Sequence, residues 1–371
     1  MGNKNTFIHL MRDILGSKYD FRFNVVKSYV EYSPKNQNSW KQLEKRGQLF
    51  VDLCENEEKG RFNVTSISQL LDSEFVKEYH PFQEYYKNLG EWDGKDYIRE
   101  YCSYVDVVDS EDFYVQFKKW LVRAVKTAIE PKYFNKQAFI IISPEQNTGK
   151  TSWCRFLVPQ TLSEYITEYF DTSKDGRIAT CRNLLVNLDE LEEWTRKDIA
   201  LFKSALSSEA INERLPYARN ASFLVRTCSF IGSTNQRDFL NDETGSVRWL
   251  CFDIKSINFD YRKNCQIDNV WRQAYHLSQR EDFDYEITVE ERKKNELRNK
   301  NFETICVESE LINKYYEKGN EVFETATDIL CYIKDQKNIK ISSVYVGRAL
   351  GKLGFERKKH RGVFGYWVKK K

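Results

Sequence analysis

The sequence predicts an α/β protein built around a parallel sheet, with a mainly helical N-terminal region before the sheet and a small basic unit after it. Three observations support this. Short apolar runs alternate with helical patterns after residue 138, residues 111–130 have apolar side chains at helical spacing, and the last fifty residues change in charge. Short apolar strands that alternate with helices are typical of a parallel sheet covered on both faces.

Composition limits the classes of protein to consider. The chain has 371 residues with 24 Phe, 22 Tyr and 8 Trp, enough to build a core in two or three domains. The longest apolar runs have only several residues and the N-terminus lacks the apolar core of a signal peptide, so we expect no membrane contact. Nine scattered cysteines without a CxxC pair indicate reduced thiols in a cytoplasmic protein, and four widely spaced histidines do not favour a zinc site.

We divide the chain into four parts: 1–110, 111–280, 281–320 and 321–371. The first is predicted to be a mainly helical unit with a role in assembly, and in it a turn at Asp93-Gly94 leads into a helix. The second is predicted to contain the sheet, and the third is a charged helical connector. The expected strands of the sheet are the apolar runs 138–142, 182–188, 227–233 and 247–254.

The run "AFIII" (138–142) is followed by "SPEQNTGKT" (143–151), which has the second half of a phosphate-binding loop. Pro144 stands where that motif has glycine. In such a loop Lys150 reaches the β- and γ-phosphates of a nucleotide, the Thr151 hydroxyl completes a Mg²⁺ shell, and backbone amides face the phosphates. The predicted nucleotide-binding residues are Asn147, Thr148, Gly149, Lys150, Thr151 and Ser152.

An acidic pair follows the next apolar run, in "NLLVNLDELEEW". Asp189 is predicted to hold Mg²⁺ together with Thr151, and Glu190 to polarise the attacking water. A helix that begins with acidic residues would account for the same two side chains, because carboxylates favour helix N-termini.

Two further polar residues complete the predicted catalytic set. Asn235, at the end of "SFIGSTN", is expected to orient the lytic water and sense the γ-phosphate. Arg248, thirteen residues later in "ETGSVRW", is expected to act as an arginine finger across a subunit boundary; a salt-bridged arginine at a strand start is the alternative. Four elements in this order predict binding of ATP with Mg²⁺.

The last part, 321–371, is predicted to be a winged helix that binds DNA. It has twelve Lys or Arg against five Asp or Glu, whereas the whole chain has a net charge of only +3. Helices are expected in 325–336 and 342–356, followed by a β-hairpin in 357–370; a purely structural cap is the alternative. The predicted DNA contacts are Arg357, Lys358, Lys359, His360 and Arg361.

The order "NTGKT", "LLVNLDE", "SFIGSTN", "TGSVRW" resembles that of superfamily 3 helicases, a branch of the AAA+ ATPases, and above all the virulence-associated protein E (VapE-like) family of phages and mobile elements. The segment 79–98, with Trp92-Asp93-Gly94, is similar to the part of that family ahead of the ATPase. The resemblance implies an AAA+-type P-loop core with Walker A, Walker B, sensor and finger residues, which match in turn Lys150 and Thr151, Asp189 and Glu190, Asn235, and Arg248.

In such helicases a hairpin between the second and third motifs touches DNA inside a hexameric ring, and "NERLPYARNASFLVR" (212–226) occupies that interval. The resemblance therefore implies DNA contacts from Arg214, Tyr217 and Arg219, although any of them would also suit a subunit interface. Val247 stands where many members of the family have a second arginine.

We therefore expect an ATP-dependent DNA helicase or translocase that acts in replication of a phage or mobile element. The alternative is an ATP-dependent DNA-binding switch, regulatory or defensive, that does not separate strands. The expected partners are DNA, further copies of the chain, for which a hexameric ring is one arrangement, and a separate primase or origin-binding protein. A small-molecule kinase would have no use for Asn235 or for the winged helix.

Overall fold

The structure is a computed structural model that describes residues 3–44, 49, 51, 63–168, 170–171, 173–189, 191, 194–214, 221–240, 247–303, 307–336 and 341–371. Within these residues the strands form one six-stranded sheet and three smaller sheets.

The N-terminal part contains a sheet as well as helices. Its elements are α1 (Asn3–Lys18), β1 (Tyr19–Asn24), β2 (Tyr29–Pro34), β3 (Lys41–Gln42), α2 (Val64–Leu71) and β4 (Lys77–Tyr79). The sheet has the order β3-β2-β1-β4, with β1 parallel to β4. Helices still contribute more residues than strands. The stretch 21–32 has a strand-like pattern, in agreement with β1 and β2, but the assembly of the strands into a sheet was not predicted. The strands β1 and β4 pair Arg22 with Lys77. These residues are too far apart in the sequence for a local pattern to predict the pairing.

The next helices pack against the main sheet. They are α3 (Pro81–Asn88), α4 (Tyr97–Ser103) and α5 (Ser110–Ile129), with β5 (Val105–Val107) between the last two. The side chains of His80, Asp96 and Asp109 accept backbone hydrogen bonds at the three helix starts, which satisfies amides that lack partners within the helix. The helix predicted in 111–130 is confirmed as α5.

The next segment of the chain contains most strands of the main sheet and the helices between them. Its elements are β6 (Ala138–Ile142), α6 (Lys150–Phe156), a 3₁₀ helix (Gln160–Tyr165), β7 (Ile166–Thr167), α7 (Lys174–Arg182), β8 (Leu185–Leu188), α8 (Arg196–Ser207), β9 (Ala210–Glu213), β10 (Ser222–Val225), β11 (Ser229–Thr234) and β12 (Trp249–Ile257). The main sheet has the strand order β5-β12-β6-β11-β8-β7. The last five are mutually parallel, and β5 pairs with β12 in the antiparallel sense. All four predicted strands are therefore present. The pair β9–β10 forms a separate antiparallel hairpin.

Both faces of this sheet are buried, as predicted. Along β6, Phe139 and Ile141 pack into one core cluster, which also contains Trp120 of α5. Ala138, Ile140 and Ile142 pack into a second cluster with Phe202 of α8. Alternate side chains of a strand point to opposite faces, so a strand that is apolar throughout needs helices on both sides.

After the sheet come α9 (Tyr261–Asn264), α10 (Ile267–Ser278) and α11 (Val289–Asn299), which a second 3₁₀ helix, Lys300–Phe302, extends. The predicted connector helix, α11, lies directly against β12. The Asn295 amide donates to the Trp249 carbonyl at 2.8 Å, and Arg298 donates to the Cys251 carbonyl at 2.7 Å and to the carboxylate of Asp112. This helix thus packs on the main sheet instead of forming a free linker.

The C-terminal part contains α12 (Val307–Tyr315), β13 (Tyr316–Glu324), α13 (Ala326–Gln336), α14 (Ser343–Lys352), β14 (Arg357–His360) and β15 (Val363–Lys370). The two predicted helices and the hairpin are present. The strand β13 was not predicted; it makes a three-stranded sheet in the order β13-β15-β14. Tyr366 and Val368 of β15 pack with side chains of the three helices in a core of its own.

The proposed domain boundaries stay predictions. Two elements from neighbouring parts pack with the main sheet: β5, within 1–110, is its edge strand, and α11, within 281–320, packs on β12. Seven cysteines of the described part have free thiols, and six of these are buried. In the same part of the chain, no helix has the length and apolar character that a membrane crossing requires.

Candidate functional site at the carboxyl edge of the parallel sheet

The loop between β6 and α6 is shaped for contact with an anion. Asn147 and Gly149 have positive φ values of 59° and 84°, and Thr148 between them does not. Such alternation turns successive backbone N–H groups toward one concave side, an arrangement that binds phosphate. Pro144 therefore does not prevent the later part of the loop from taking this shape.

Lys150 is the first residue of α6 and its side chain folds back over the loop. The residue is 6% exposed. Its ammonium group donates to the carbonyl oxygens of Ser143 at 3.1 Å and Glu145 at 2.8 Å, and to the Thr148 hydroxyl at 3.0 Å. An ammonium has three N–H donors, and these three loop oxygens accept from them. A phosphate oxygen can take the place of one of the carbonyl oxygens.

Both ends of the loop between β6 and α6 contact the neighbouring strand β11. The Thr151 hydroxyl lies 3.2 Å from the Ser233 hydroxyl in β11, and the Ser143 amide donates to the Thr234 carbonyl at 3.2 Å. Asn235 is the next residue after β11 and is exposed. Because β6 and β11 are adjacent and parallel, their carboxyl ends place Asn235 beside the loop. Ser152, also predicted to bind nucleotide, lies half-buried in the same helical turn.

Asp189 follows β8 at the same edge and is exposed. Burial raises the pKa of the Cys154 thiol in α6 well above its ordinary value, and the negative charge of Asp189 adds to this shift. Because β8 pairs with β11 in the parallel sense, the carboxyl end of β8 brings Asp189 to the edge at which α6 begins. Glu190 lies outside the described residues.

Arg248 is at the opposite edge of the sheet. It immediately precedes β12, and its carbonyl accepts from the Ala138 amide at the start of β6. Four steps of about 3.3 Å separate Ala138 from Ile142, the first and last residues of β6, by roughly 13 Å. Arg248 therefore does not join the Lys150 loop of its own chain. It lines a cavity of about 520 Å³ with, among others, Lys136 and Arg292.

One aromatic side chain that the sequence analysis did not single out lies against the loop. The ring of Phe259, just after β12, occupies the space into which a side chain on Gly149 would project, since a Cβ there would lie 2.5 Å from the ring. Phe259 is nevertheless 45% exposed, and the Arg262 guanidinium lies 5.1 Å from its centroid. An isolated aromatic after a strand was the only sequence signal for this contact.

The predicted nucleic-acid contacts fall in two places. Arg214 is exposed at the end of β9, in a hairpin that an ion pair between Arg177 and Glu213 (Nε–Oε1 3.0 Å) joins to α7. Tyr217 and Arg219 lie outside the described residues. The other five are on the C-terminal hairpin: Arg357, Lys358, Lys359 and His360 on β14, and Arg361 in the turn with φ 47°.

Taken together, the described residues bring the loop, Lys150, Thr151, Asp189 and Asn235 to one edge of the sheet. Within the part of the chain that is described, no cluster of three His, Cys, Asp or Glu is suited to hold a metal by itself. A cation at this edge would need oxygen ligands from a bound phosphate in addition to Thr151 and Asp189. The fold and site define an α/β protein with a phosphate-loop-like strand, loop and helix.

The chain belongs to the family of proteins with a virulence-associated protein E-like domain, whose family model matches residues 86–304, more than half of the chain. Among solved structures it is similar to the apo structure of the NrS-1 C-terminal region (305–718), with a TM-score of 0.53 and 12% identity over 99% of this chain and 100% of that one. The A-form apo structure of the same NrS-1 region has a TM-score of 0.51 and 14% identity over 95% and 88% of the two chains. These identities make the likeness one of fold alone. No curated protein matches the chain.

Proposed function

We propose that the protein is an ATP-dependent DNA helicase or translocase with an AAA+-type P-loop core and a C-terminal winged helix, acting in replication of a phage or mobile element. The observation that carries the proposal is the strand order. Because β11 lies between β6 and β8, Asn235 follows the strand between those that position Lys150 and Asp189. Membership of the VapE-like family supports the replication role.

In this proposal the chain's own residues bind and orient MgATP, whose phosphates supply the hydrolysable bond. The backbone amides from Asn147 to Thr151 receive the phosphates, and the Lys150 ammonium exchanges its contacts with Ser143 and Glu145 for phosphate oxygens. Thr151 and Asp189 would hold Mg²⁺. Asn235 orients the attacking water, and Glu190 polarises it.

The position of Arg248 supports a role between subunits. An arginine roughly one strand length from its own loop can neutralise γ-phosphate charge only on a nucleotide held by another copy. Mixing Arg248→Ala with Lys150→Ala protomers should therefore restore some hydrolysis, since one contributes a functional loop and the other a functional arginine. Absence of any recovery would contradict the role in trans.

A forked-duplex unwinding assay with ATP tests the motor. Lys150→Ala should abolish hydrolysis and unwinding, while Lys132→Ala, which changes an exposed lysine away from the loop, should leave both unchanged. Unwinding that survives Lys150→Ala would refute the motor. DNA-stimulated hydrolysis without strand separation in the wild type would instead favour the DNA-binding switch.

A further inference from the structure

Three aromatic side chains, one from each strand, meet on the C-terminal sheet. They are Phe323 of β13, His360 of β14 and Trp367 of β15. Their ring centroids lie 5.1 Å apart for Phe323 and His360, 5.5 Å for Phe323 and Trp367, and 5.4 Å for His360 and Trp367. All three are half-buried, so part of each ring faces solvent.

These rings lie on the face of the sheet that points away from its helices. Tyr366 and Val368 point into the C-terminal core, so Trp367 between them points the other way. Phe323 is the cross-strand partner of Trp367 and shares its face. We call the surface formed by Phe323, His360 and Trp367 the outer face.

Gly365 makes the arrangement possible. A Cβ on this residue would lie 2.7 Å from the Phe323 ring and 2.7 Å from the Glu324 carbonyl oxygen. Without a side chain there, the Phe323 ring lies over the backbone of β15, close to Trp367. Any larger residue would push the ring off the sheet.

The charge around the outer face suits a polyanion. Residues 357–371 contain seven Lys or Arg and no Asp or Glu. Lys358 and Lys369 flank the rings on the same face. Lys358 pairs with Glu356 at 3.1 Å, and Lys369 pairs with Glu317 at 2.9 Å and with Glu321 at 3.7 Å. Exposed pairs of this kind are weak, so phosphate groups can replace the carboxylates.

We propose that the outer face binds single-stranded DNA by stacking bases on Phe323, His360 and Trp367, with the flanking lysines on the phosphates. This rests on the proposed function, in which the C-terminal unit contacts DNA, and deepens it by naming the form of DNA. Bases in a duplex already cover one another's faces, whereas unpaired bases offer theirs to aromatic rings. A strand that a motor has separated supplies such bases.

The test compares an oligothymidylate with a duplex of equal length by fluorescence anisotropy, using the full chain. Phe323→Ala and Trp367→Ala should each weaken binding of the single strand about 5- to 150-fold and change duplex binding little. Trp367→Phe keeps a ring and should retain most of the affinity. Val322→Ala removes an exposed apolar side chain next to Phe323 and serves as the matched control with no expected effect.

A second readout separates stacking from charge and from misfolding. The ring variants should lower the affinity at every salt concentration without changing the slope of log affinity against log salt, whereas Lys358→Ala should reduce the slope. If Trp367→Ala does not fold, Phe323→Ala and His360→Ala carry the test. Equal losses on single strand and duplex, or no loss from any ring variant, would overturn the proposal. A wild type that binds neither DNA would instead refute the DNA-binding part of the proposed function.

Discussion

Gly149→Ala should separate backbone strain from nucleotide binding, because Gly149 lies at the narrowest point of the loop. Its φ of 84° is in the left-handed region, which costs a residue with a side chain about 1–2 kcal/mol. The added Cβ would lie 2.5 Å from the end of the Phe259 ring. Since that ring is half-exposed it can swing aside, so most of the loss in the free energy of unfolding should come from backbone strain.

The effect on nucleotide binding should be larger. The methyl group keeps a phosphate from approaching the backbone, and loss of one hydrogen bond to a charged group costs roughly 1.5–3 kcal/mol. The Kd for MgATP should therefore rise roughly 10- to 150-fold, as measured by isothermal titration calorimetry. Phe259→Ala in the same chain should recover only the part of the loss that comes from crowding.

Gly94→Ala is the matched control. Gly94 has nearly the same φ, 87°, but nothing lies within 4 Å of a Cβ on it. This change should cost the same 1–2 kcal/mol of unfolding free energy and leave the Kd for MgATP unaltered. The reasoning fails if Gly149→Ala binds MgATP as well as the wild type, or if both variants lose the same affinity.

Three other predictions concern charge. Burial lowers the pKa of His80 from 6.5 to about 4, so the unfolded chain takes up a proton at a higher pH than the folded chain does. The free energy of unfolding should therefore fall by up to about 3 kcal/mol as the pH drops from 6.5 to about 4. His80→Asn should make the free energy of unfolding, measured in urea, less dependent on pH over this range. Arg298→Met should lower the free energy of unfolding by about 3 kcal/mol because it leaves the buried carboxylate of Asp112 poorly paired. Lys294 pairs with the same carboxylate from an exposed position, so Lys294→Met should cost under about 1 kcal/mol. Equal losses from the two variants would contradict this prediction. Lys359→Ala should reduce the salt slope of duplex binding by about 0.9, and an unchanged slope would remove Lys359 from the interface.

The parallel sheet could be predicted from sequence because its signals are local. Each of the four runs contains a short apolar stretch, such as AFIII at 138–142, LLV at 184–186 and WLCF at 249–252. The carboxyl-edge location of Lys150, Asp189 and Asn235 follows from the parallel arrangement. The same logic puts Arg248 at the other edge, since it precedes a strand instead of following one.

The remaining features depend on contacts between distant residues. Phe259 meets Gly149 across 110 positions of the chain, and β1 meets β4 across more than fifty. The strand β13 carries few apolar residues and owes its place to pairing with β15. Local periodicity contains no information on such pairings.

The separation of Lys150 from Arg248 has a consequence for symmetry. A twofold dimer matches one patch of the surface with itself, whereas residues on opposite edges of a sheet face opposite directions. In the proposed role, the Lys150 loop of one copy meets Arg248 of another only through head-to-tail contact. Such contact closes into a ring or continues as an open row of copies. Every open row of copies ends with one Lys150 loop that receives no Arg248 from a neighbour. The rate of ATP hydrolysis per subunit should therefore rise with protein concentration until rings close.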